Sequence, residues 1–405
     1  MKIYVGIDWS EDKHCVHAYR ADGTLLLQLE IAATVAGYQA LTRALQALNP
    51  QPADCLVAIE TAHNPLVDYL HRGGYTLYVL APTVVSSNRG RQGSSGAKDD
   101  DRDARLLADI VRTDRRQLLP WQPDGPLVRQ MRLLLSSIDD LTKLIVGWRN
   151  RLRAHLLYAY PQALAAFGDV QTAFAQRFLA AFPDPAQLQT LSFEEFTAFC
   201  RQQRYYMRKR YPELWATLRE PAPPVPAELS AVYSGEVAWR APQLLDLYLR
   251  KQQLIAEVQA LFQQHPDAFI FASLPGAGDL LAPKLLVMFG DHRARYPVRE
   301  ILPAIAGTAP VTVRSGKSSS VRFRFACNHS YRNTAQQFAI SSTLQSAWAA
   351  TYVHRARRRG LEKNEAYRCL ANRWLQVIWA LWQRREAYDA AYHLQRSAQG
   401  RRPQR

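Results

Sequence analysis

The sequence has few cysteines and lacks the spacings that would give them a shared role. The five cysteines of this 405-residue chain are odd in number and widely scattered, and no CxxC or Cys/His ligand spacing occurs among them. Neither a disulfide framework nor a zinc site is therefore predicted. A chain of this kind suits a reducing cytoplasm, and we expect that location.

Long apolar runs and a secretory leader are also lacking. No uncharged apolar run approaches the length that spans a membrane. The first residues follow a strand pattern and meet an acid at Asp8, which is unlike a signal peptide. We expect no membrane partner.

Acidic residues are missing from one long stretch of a basic chain. The formal net charge is +16 and the pI is near 9.8, yet no Asp or Glu occurs from Ile301 to Leu361. Such a stretch can be a solvated basic face, but its length and its interleaved aromatic residues favour a nucleic acid as partner. The candidate nucleic-acid-binding residues are Arg314, Lys317, Arg322, Arg324 and Arg332.

The chain is too long for one ordinary hydrophobic core, and the pattern of its apolar residues changes along its length, which predicts several domains. Residues 1–120 have three meandering strands and then alternating helices and strands, the order of an RNase H-like fold. Residues 121–268 are predicted to form a helical coiled-coil arm with an inserted tip. The second long helix of this arm is expected over Pro242–Gln264. Residues 269–393 are predicted to be mainly helical, and 394–405 to be a basic, disordered tail. The predicted class is α/β plus α.

Four carboxylates have the spacing of a divalent-metal site. Asp8 and Glu60 each end a short apolar strand pattern, while Asp100 and Asp103 lie one helical turn apart. Hard oxygen ligands hold Mg²⁺ or Mn²⁺, and two such ions can stabilise both oxygens of an in-line phosphoryl displacement. Each acid taken singly is more simply structural, because acids are common in the first turn of helices. Together they predict a metal-dependent nuclease.

Two further features suggest phosphate contacts. Leu274-Pro275-Gly276-Ala277-Gly278 has the pattern of a helix-hairpin-helix turn that offers backbone N–H groups to a phosphate. Ser315 lies in a loop between Arg314 and Lys317, whose charges would stabilise a transition state if its hydroxyl attacked a phosphate. From the residues alone, a turn that only binds phosphate is favoured, and Ser318-Ser319-Ser320 competes for the role.

In this order, the motifs resemble those of the insertion-sequence transposases of the IS110 type, DEDD recombinases with a RuvC-like N-terminal domain. The resemblance covers nearly the whole chain. It rests on Gly6-Ile7-Asp8, Ile59-Glu60-Thr61, Lys98-x-Asp100-x-x-Asp103-Ala104, the Leu274 hairpin, Gly290-Asp291, and Ala306-Gly307-x-x-Pro310 leading to Ser315-Gly316. The chain departs from the family in having Lys98-Asp99-Asp100 for Lys-Thr-Asp, and Ser318-Ser319-Ser320 where Gly and Arg are usual.

The resemblance implies roles for these residues. Asp8, Glu60, Asp100 and Asp103 would be the DEDD metal ligands, with the third ligand open between Asp100 and its acidic neighbours. Ser315 would form a covalent phosphoserine link to DNA. The family also implies a bacterial, nucleoid-associated homodimer or homotetramer. Its choice of donor and target DNA would use a structured guide RNA, the bridge RNA, from the element's non-coding end.

Three other functions stay open at this point. A RuvC-like Holliday-junction resolvase would use metal-bound water and leave Ser315 to bind phosphate. An actin-like sugar kinase would also begin with a motif like Gly6-Ile7-Asp8. The phosphate-binding site of such a kinase needs a Gly/Thr-rich turn after the acid, where this chain has Trp9-Ser10-Glu11. A non-catalytic nucleic-acid-binding protein would keep its function without the acids.

Overall fold

A computed structural model describes residues 1–62, 64–89, 100–221, 225–315 and 318–391. These residues form two compact units. The first consists of Met1–Asp124, His292–Val298 and Arg322–Cys327; the second consists of Gly125–Asp291, Arg299–Val321 and the described residues from Asn328 onward. The domain limits expected at residues 120, 268 and 393 stay predictions, and the predicted tail lies outside the described residues.

A five-stranded sheet is the centre of the first unit. Its strands are β1 (Ile3–Trp9), β2 (Lys13–Tyr19), β3 (Leu25–Ala32), β4 (Cys55–Ile59) and β5 (Thr76–Val79). Its helices are α1 (Val35–Leu48), α2 (Pro65–Arg72), α3 (Pro82–Asn88) and α4 (Asp100–Asp114). The strand order is β3-β2-β1-β4-β5, with β1 to β3 antiparallel and β4 and β5 parallel to β1. The meander followed by alternating helices and strands is as predicted.

Alternation along the strands gives this sheet two apolar faces. Ile3, Val5 and Ile7 of β1 are buried in one core with α1 and α2. On the other face, Tyr4 of β1 and Ala58 of β4 are buried in a second core with α4. Helices thus cover both faces, and the even-numbered positions of β1 face α4.

Gly6 allows α4 to lie against β1 at backbone distance. A Cβ placed on Gly6 would lie 2.0 Å from the carbonyl oxygen of Ala104 and 2.4 Å from the amide nitrogen of Ala108. Neither atom belongs to a side chain that could turn away, so any residue other than glycine would push the helix off the strand. This contact sets the height of α4 above the sheet.

Long helices dominate the second unit. Here α5 (Pro126–Ala159) and α11 (Ala227–Gln263) pack antiparallel, since Trp148 contacts Trp239 and Tyr158 contacts Tyr233. Between them, in a tip with its own apolar core, lie α6 (Pro161–Phe167), α7 (Ala173–Ala181), α8 (Gln187–Thr190), α9 (Phe193–Gln202) and α10 (Tyr211–Leu218). Two long helices with shorter helices between them thus occupy the region where a coiled-coil arm with an inserted tip is expected, and the coiled-coil arm itself stays a prediction.

The rest of the second unit consists of helices and most of a short, largely exposed hairpin. The helices are α12 (Ala268–Ala272), α13 (Gly278–Phe289), α14 (Ile301–Ile305), α15 (His329–Gln345), α16 (Ala347–Arg358) and α17 (Lys363–Arg384). The hairpin strands are β6 (Val311–Ser315) and β7 (Ser318–Arg322). Short 3₁₀ turns occur in the chain at Pro52–Asp54, Arg115–Gln117, Arg208–Arg210 and Arg293–Arg295. Across the described ranges, no helix is both long enough and apolar enough to cross a membrane.

The predicted start of α11 is wrong. The helix begins at Ala227 and contains Pro242, the residue expected to open it. An internal proline costs roughly 3 kcal/mol because it removes a backbone hydrogen bond. Val237 and Leu244, on either side of it, are fully buried in the core of the tip, and each burial contributes about 1.5–3 kcal/mol. Packing therefore outweighs the local signal.

We expect Gly6→Ala to destabilise the first unit by about 3 kcal/mol, because the new methyl group meets backbone atoms of α4. Thermal unfolding followed by calorimetry and circular dichroism checks this. The matched control is Gly147→Ala on α5, where an added Cβ has no heavy atom within 4 Å and alanine favours the helix by up to about 1 kcal/mol. Equal unfolding temperatures for Gly6→Ala and the unaltered protein would contradict the close crossing.

Candidate functional site

Asp8 and Glu60 lie at the same end of two parallel strands. Asp8 is the penultimate residue of β1, and Glu60 directly follows the last residue of β4. The register places Ile7 opposite Ile59, so the next step along both strands brings the two acids level. By alternation, both acids belong to the set of positions that faces α4, to which Tyr4 and Ala58 also belong. Both are half-buried, and the fold therefore brings together the two strand-borne acids.

The first turn of α4 carries the other two predicted ligands. Asp100 is the first residue of the helix and is exposed, whereas Asp103 is only 8% exposed. Burying an unpaired carboxylate costs on the order of several kcal/mol. The Arg89 guanidinium meets that need, with Nη2 at 3.1 Å from Asp103 Oδ2. Arg89 was not among the predicted site residues, and nothing in its sequence neighbourhood singled it out.

Cys15 lies between the end of β1 and the first turn of α4. Cys15 lies opposite Asp8 in the β1–β2 ladder. The pKa of this thiol is raised to about 11, mainly by burial and further by the negative charges of Asp101, Asp8 and Asp100. Its Sγ also lies 3.7 Å from Asp101 Oδ1, in the first turn of α4. The end of β1 and the start of α4 therefore share one acidic neighbourhood.

Asp101, between the two predicted ligands of α4, has partners on β2 and β3. Its Oδ1 lies 2.6 Å from His17 Nε2, 2.8 Å from Gln28 Nε2 and 3.7 Å from Cys15 Sγ. The hydrogen bond from His17 is the main reason that the pKa of Asp101 is lowered. Asp99, the other neighbour of Asp100, lies outside the described residues. The choice of Asp100 as third ligand stays a prediction.

The four acids suit a hard divalent cation. They offer only carboxylate oxygens, the donors that Mg²⁺ and Mn²⁺ prefer. Neighbouring carboxylates repel one another unless a cation lies among them, and Arg89 contacts the most buried of the four. Within the described ranges, no three of these four acids have ligand oxygens within 4.8 Å of one another. The donor chemistry therefore fits a magnesium-type site. Asp8, Glu60, Asp100 and Asp103 are the residues that would hold it.

A different set of donors lies next to these acids. One ligand atom each from Cys15, His17 and Asp101 lie within 4.8 Å of one another. Cys15 and His17 alternate on β2, so both face α4. Spacing along the sequence does not reveal this set, because its third donor comes from a helix far along the chain.

Ser315 lies in the second unit, at the end of β6. It is exposed, as is Arg314 before it. Lys317, predicted to flank the serine on the other side, lies outside the described residues. Arg332 is half-buried on α15. The hairpin thus carries an exposed serine and, next to it in the sequence, an exposed arginine.

Two of the predicted nucleic-acid-binding arginines are grouped with the first unit. Arg322 is exposed at the end of β7, and Arg324 is half-buried two residues later. Between them, Phe323 makes an edge contact with Phe325, their ring centroids 4.7 Å apart. This short segment therefore combines cations with aromatic rings, as the sequence suggested.

The turn at Leu274-Pro275-Gly276-Ala277-Gly278 does join two helices, α12 and α13. Gly276 and Gly278 have φ values of 79° and 53°, where glycine is favoured. The N–H of Gly276 donates to Gln345 Oε1 at 2.8 Å, and that of Ala277 donates to the Leu274 carbonyl at 3.2 Å. Both donors are satisfied within the protein, which argues against their holding a phosphate.

Asp291, of the Gly290-Asp291 motif, has a structural role in the second unit. Its Oδ2 accepts from the N–H of Gly125 at 2.6 Å, and its Oδ1 lies 2.8 Å from His265 Nε2. The N–H of Asp267 donates to His265 Nδ1 at 3.1 Å, so the ring proton is on Nε2 and is donated to Asp291. The carboxylate thereby joins the start of α5 to the segment after α11.

Comparison with known proteins decides the family. A sequence model described as a transposase, of the DEDD type found in IS110, matches residues 5–161. A second, described as a transposase of the IS116/IS110/IS902 family, matches residues 268–354. The chain is also 30% identical over 409 residues to the mini-circle protein for IS117 of Streptomyces coelicolor, covering 96% of each chain. The chain belongs to the IS110 family of transposases.

Other relatives of this transposase come from further insertion elements. The chain is 27% identical over 389 residues to the 44.8 kDa protein of IS116 from Streptomyces clavuligerus, covering 94% of each. It is 24% identical over 412 residues to the 42 kDa protein of IS900 from Mycobacterium paratuberculosis, covering 96% of this chain and 98% of the relative. Family membership confirms the resemblance and makes the chain an enzyme that acts on DNA.

Proposed function

We propose that this transposase cuts and rejoins the DNA of an insertion sequence by metal-dependent, serine-mediated phosphoryl transfer. The observation that carries the proposal is the grouping of Asp8 and Glu60 with the acids of α4 on one face of the sheet. A metal-dependent nuclease needs that grouping, and a purely structural set of acids does not. We assign a RuvC-like, RNase H-type fold to the first unit on the same ground.

Asp8, Glu60, Asp100 and Asp103 would hold Mg²⁺ or Mn²⁺ in this proposal. When bound, the ions supply positive charge that stabilises the attacking and the leaving oxygen of an in-line displacement. The Arg89 guanidinium, which contacts Asp103, would hold that carboxylate in place before a cation binds. Because Arg89 carries a positive charge, it must release Asp103 or share it when the ion arrives.

Ser315 is the proposed nucleophile. Its Oγ forms a bond to the phosphorus of the DNA backbone, the bond from phosphorus to the leaving DNA oxygen breaks, and the serine proton is passed to that oxygen. Arg314 is exposed beside it, where its charge can stabilise the non-bridging oxygens. The product is a phosphoserine link that a DNA hydroxyl later reverses, so no energy-rich co-substrate is needed.

The choice of DNA sites is proposed to rest on a structured guide RNA encoded by the element. The acid-free stretch from Ile301 to Leu361 offers the positive charge that a nucleic-acid backbone needs. If base pairing reads the sequence, the protein need only read backbone and shape, as in other RNA-guided systems. We propose that the protein carries out this RNA-guided reaction as a homodimer or homotetramer. Its proposed location is the bacterial cytoplasm, in association with the nucleoid.

We expect Ser315→Ala to abolish the covalent protein–DNA adduct and to slow strand cleavage by about a thousandfold or more, since the attacking group is lost. Adducts that survive denaturation and phenol extraction are counted on labelled element DNA. Ser318→Ala, on the opposite hairpin strand, is the matched control and keeps the adduct. Full cleavage without an adduct in Ser315→Ala would favour the Holliday-junction resolvase, in which water attacks.

We expect Asp8→Asn and Glu60→Gln each to abolish cleavage in the same assay while leaving DNA binding intact, because the metal loses a charged ligand. Asp109→Asn serves as control. Asp109 lies on α4 and is half-buried, but it contacts Arg112 instead of the acid cluster. Cleavage that survives both acid substitutions would point to a protein that binds nucleic acid without using these acids.

We expect one discrete structured RNA from the element's non-coding end to accompany the protein purified from cells that carry the flanking DNA. Sequencing of the bound RNA checks this. The reason is that guided recognition requires a folded partner that survives salt washing, whereas purely electrostatic binding weakens steeply with salt. Bulk cellular RNA that is removed by salt would contradict RNA guidance.

A further inference from the structure

Three chemically different donors meet beside the acid cluster without belonging to it. Cys15 and His17 come from alternate positions of β2 that face α4, and Asp101 comes from the first turn of α4. The His17 side chain is only 4% exposed, and its Nε2 lies 2.6 Å from Asp101 Oδ1. Cys15 Sγ lies 3.7 Å from the same oxygen. The donor atoms therefore converge on one point from two elements.

We propose that Cys15, His17 and Asp101 form a second cation site, for a thiophilic divalent ion of the Zn²⁺ class. Sulfur and imidazole nitrogen are soft donors that select zinc-like ions over Mg²⁺. Three protein ligands from two elements, with a fourth position left for water or another ligand, are a common arrangement around zinc. The four carboxylates, with only oxygen donors, have the opposite preference. The two sites thus divide soft and hard cations between them.

The neighbours of His17 favour this assignment. Its other ring nitrogen, Nδ1, lies 3.1 Å from the hydroxyl of Tyr19. A histidine that ligates a metal commonly donates its second N–H to an oxygen, which fixes the ring. With Nε2 on the ion, the ring N–H stands on Nδ1, where the Tyr19 hydroxyl oxygen can accept it.

Binding of the ion changes the protonation of Cys15. Its thiol proton passes to solvent, because the thiolate is the form that ligates a metal. The ion also replaces the hydrogen bond between His17 and Asp101, and Gln28, at 2.8 Å from the same oxygen, stays as the neighbour of the carboxylate.

Occupancy of this site has a consequence for the proposed metal ligands. Cys15 lies opposite Asp8 across the β1–β2 ladder, and Asp101 is one residue from Asp100. A zinc-like ion there places positive charge beside the carboxylates, so it lowers their affinity for Mn²⁺ or Mg²⁺. This consequence rests on the proposed function of the acids, whereas the site itself does not.

Cobalt substitution tests the site on the full chain without any assay of activity. We expect Co²⁺ to give a thiolate-to-metal charge-transfer band, with visible bands of a low-coordinate ion. Cys15→Ser and His17→Gln should each weaken binding by about 100-fold or more, since even outer neighbours of a metal site contribute 10–100-fold. Cys327→Ser is the matched control, because Cys327 is also half-buried in the first unit, and it should leave the band unchanged.

A measurement on the unaltered protein tests the site even if the variants fail to fold. Stoichiometric Zn²⁺ should slow the alkylation of Cys15, followed by mass spectrometry, and leave that of Cys327 in the same molecules unchanged. Absence of the cobalt band, its survival in Cys15→Ser, or equal alkylation of Cys15 with and without Zn²⁺ would overturn the site. None of these results bears on cleavage, so the proposed function fails or stands separately.

Binding of Mn²⁺, followed by the loss of its free-ion electron paramagnetic resonance signal, tests the coupling. We expect Zn²⁺ to weaken Mn²⁺ binding in the unaltered protein and not in Cys15→Ser. Equal Mn²⁺ affinity with and without Zn²⁺ in the unaltered protein would overturn the coupling. A protein that binds Co²⁺ through Cys15 but binds no Mn²⁺ would contradict the proposed metal role of the acids and leave the second site intact.

Discussion

The contact of Gly6 with the backbone of α4 is the constraint on which the first unit depends. Asp8 and Glu60 are fixed by the strands, but Asp100 and Asp103 come from a helix that reaches the sheet after a long excursion of the chain. Only a residue without a side chain lets that helix approach β1 closely enough. One glycine therefore turns two separate pairs of acids into one neighbourhood.

Charge balance explains what surrounds those acids. A half-buried group of carboxylates is unfavourable by itself, and the fold supplies partners from several directions. Arg89 contacts Asp103, and His17 with Gln28 holds Asp101. The start of α4 is thereby stabilised before any cation binds. In the proposed reaction these partners give the metal ligands a fixed arrangement, which lowers the cost of ordering them when DNA arrives.

Periodic and local features were predictable from the sequence, whereas long-range contacts were not. The strand carrying Asp8, the short buried strand before Glu60 and the succession of strands and helices along the chain follow from alternation and turns. The start of α11 did not, because burial in the tip outweighs the proline signal at Pro242. Arg89 and the His17–Asp101 contact were missed because both depend on how α4 meets the sheet. The turn at Gly276 was predictable, but the hydrogen bond from its N–H to Gln345 on α15 was not.

Iron-directed cleavage of the protein tests the central claim most directly, namely that Asp8, Glu60 and the acids of α4 hold one cation site. Fe²⁺ bound in place of Mg²⁺, with ascorbate and peroxide, generates radicals that cut nearby backbone. We predict cuts at the end of β1, just after β4 and at the start of α4. Excess Mg²⁺ and the substitution Asp8→Asn should suppress all of these cuts, whereas Cys15→Ser should not. Cuts confined to one of these segments, or scattered elsewhere, would contradict it.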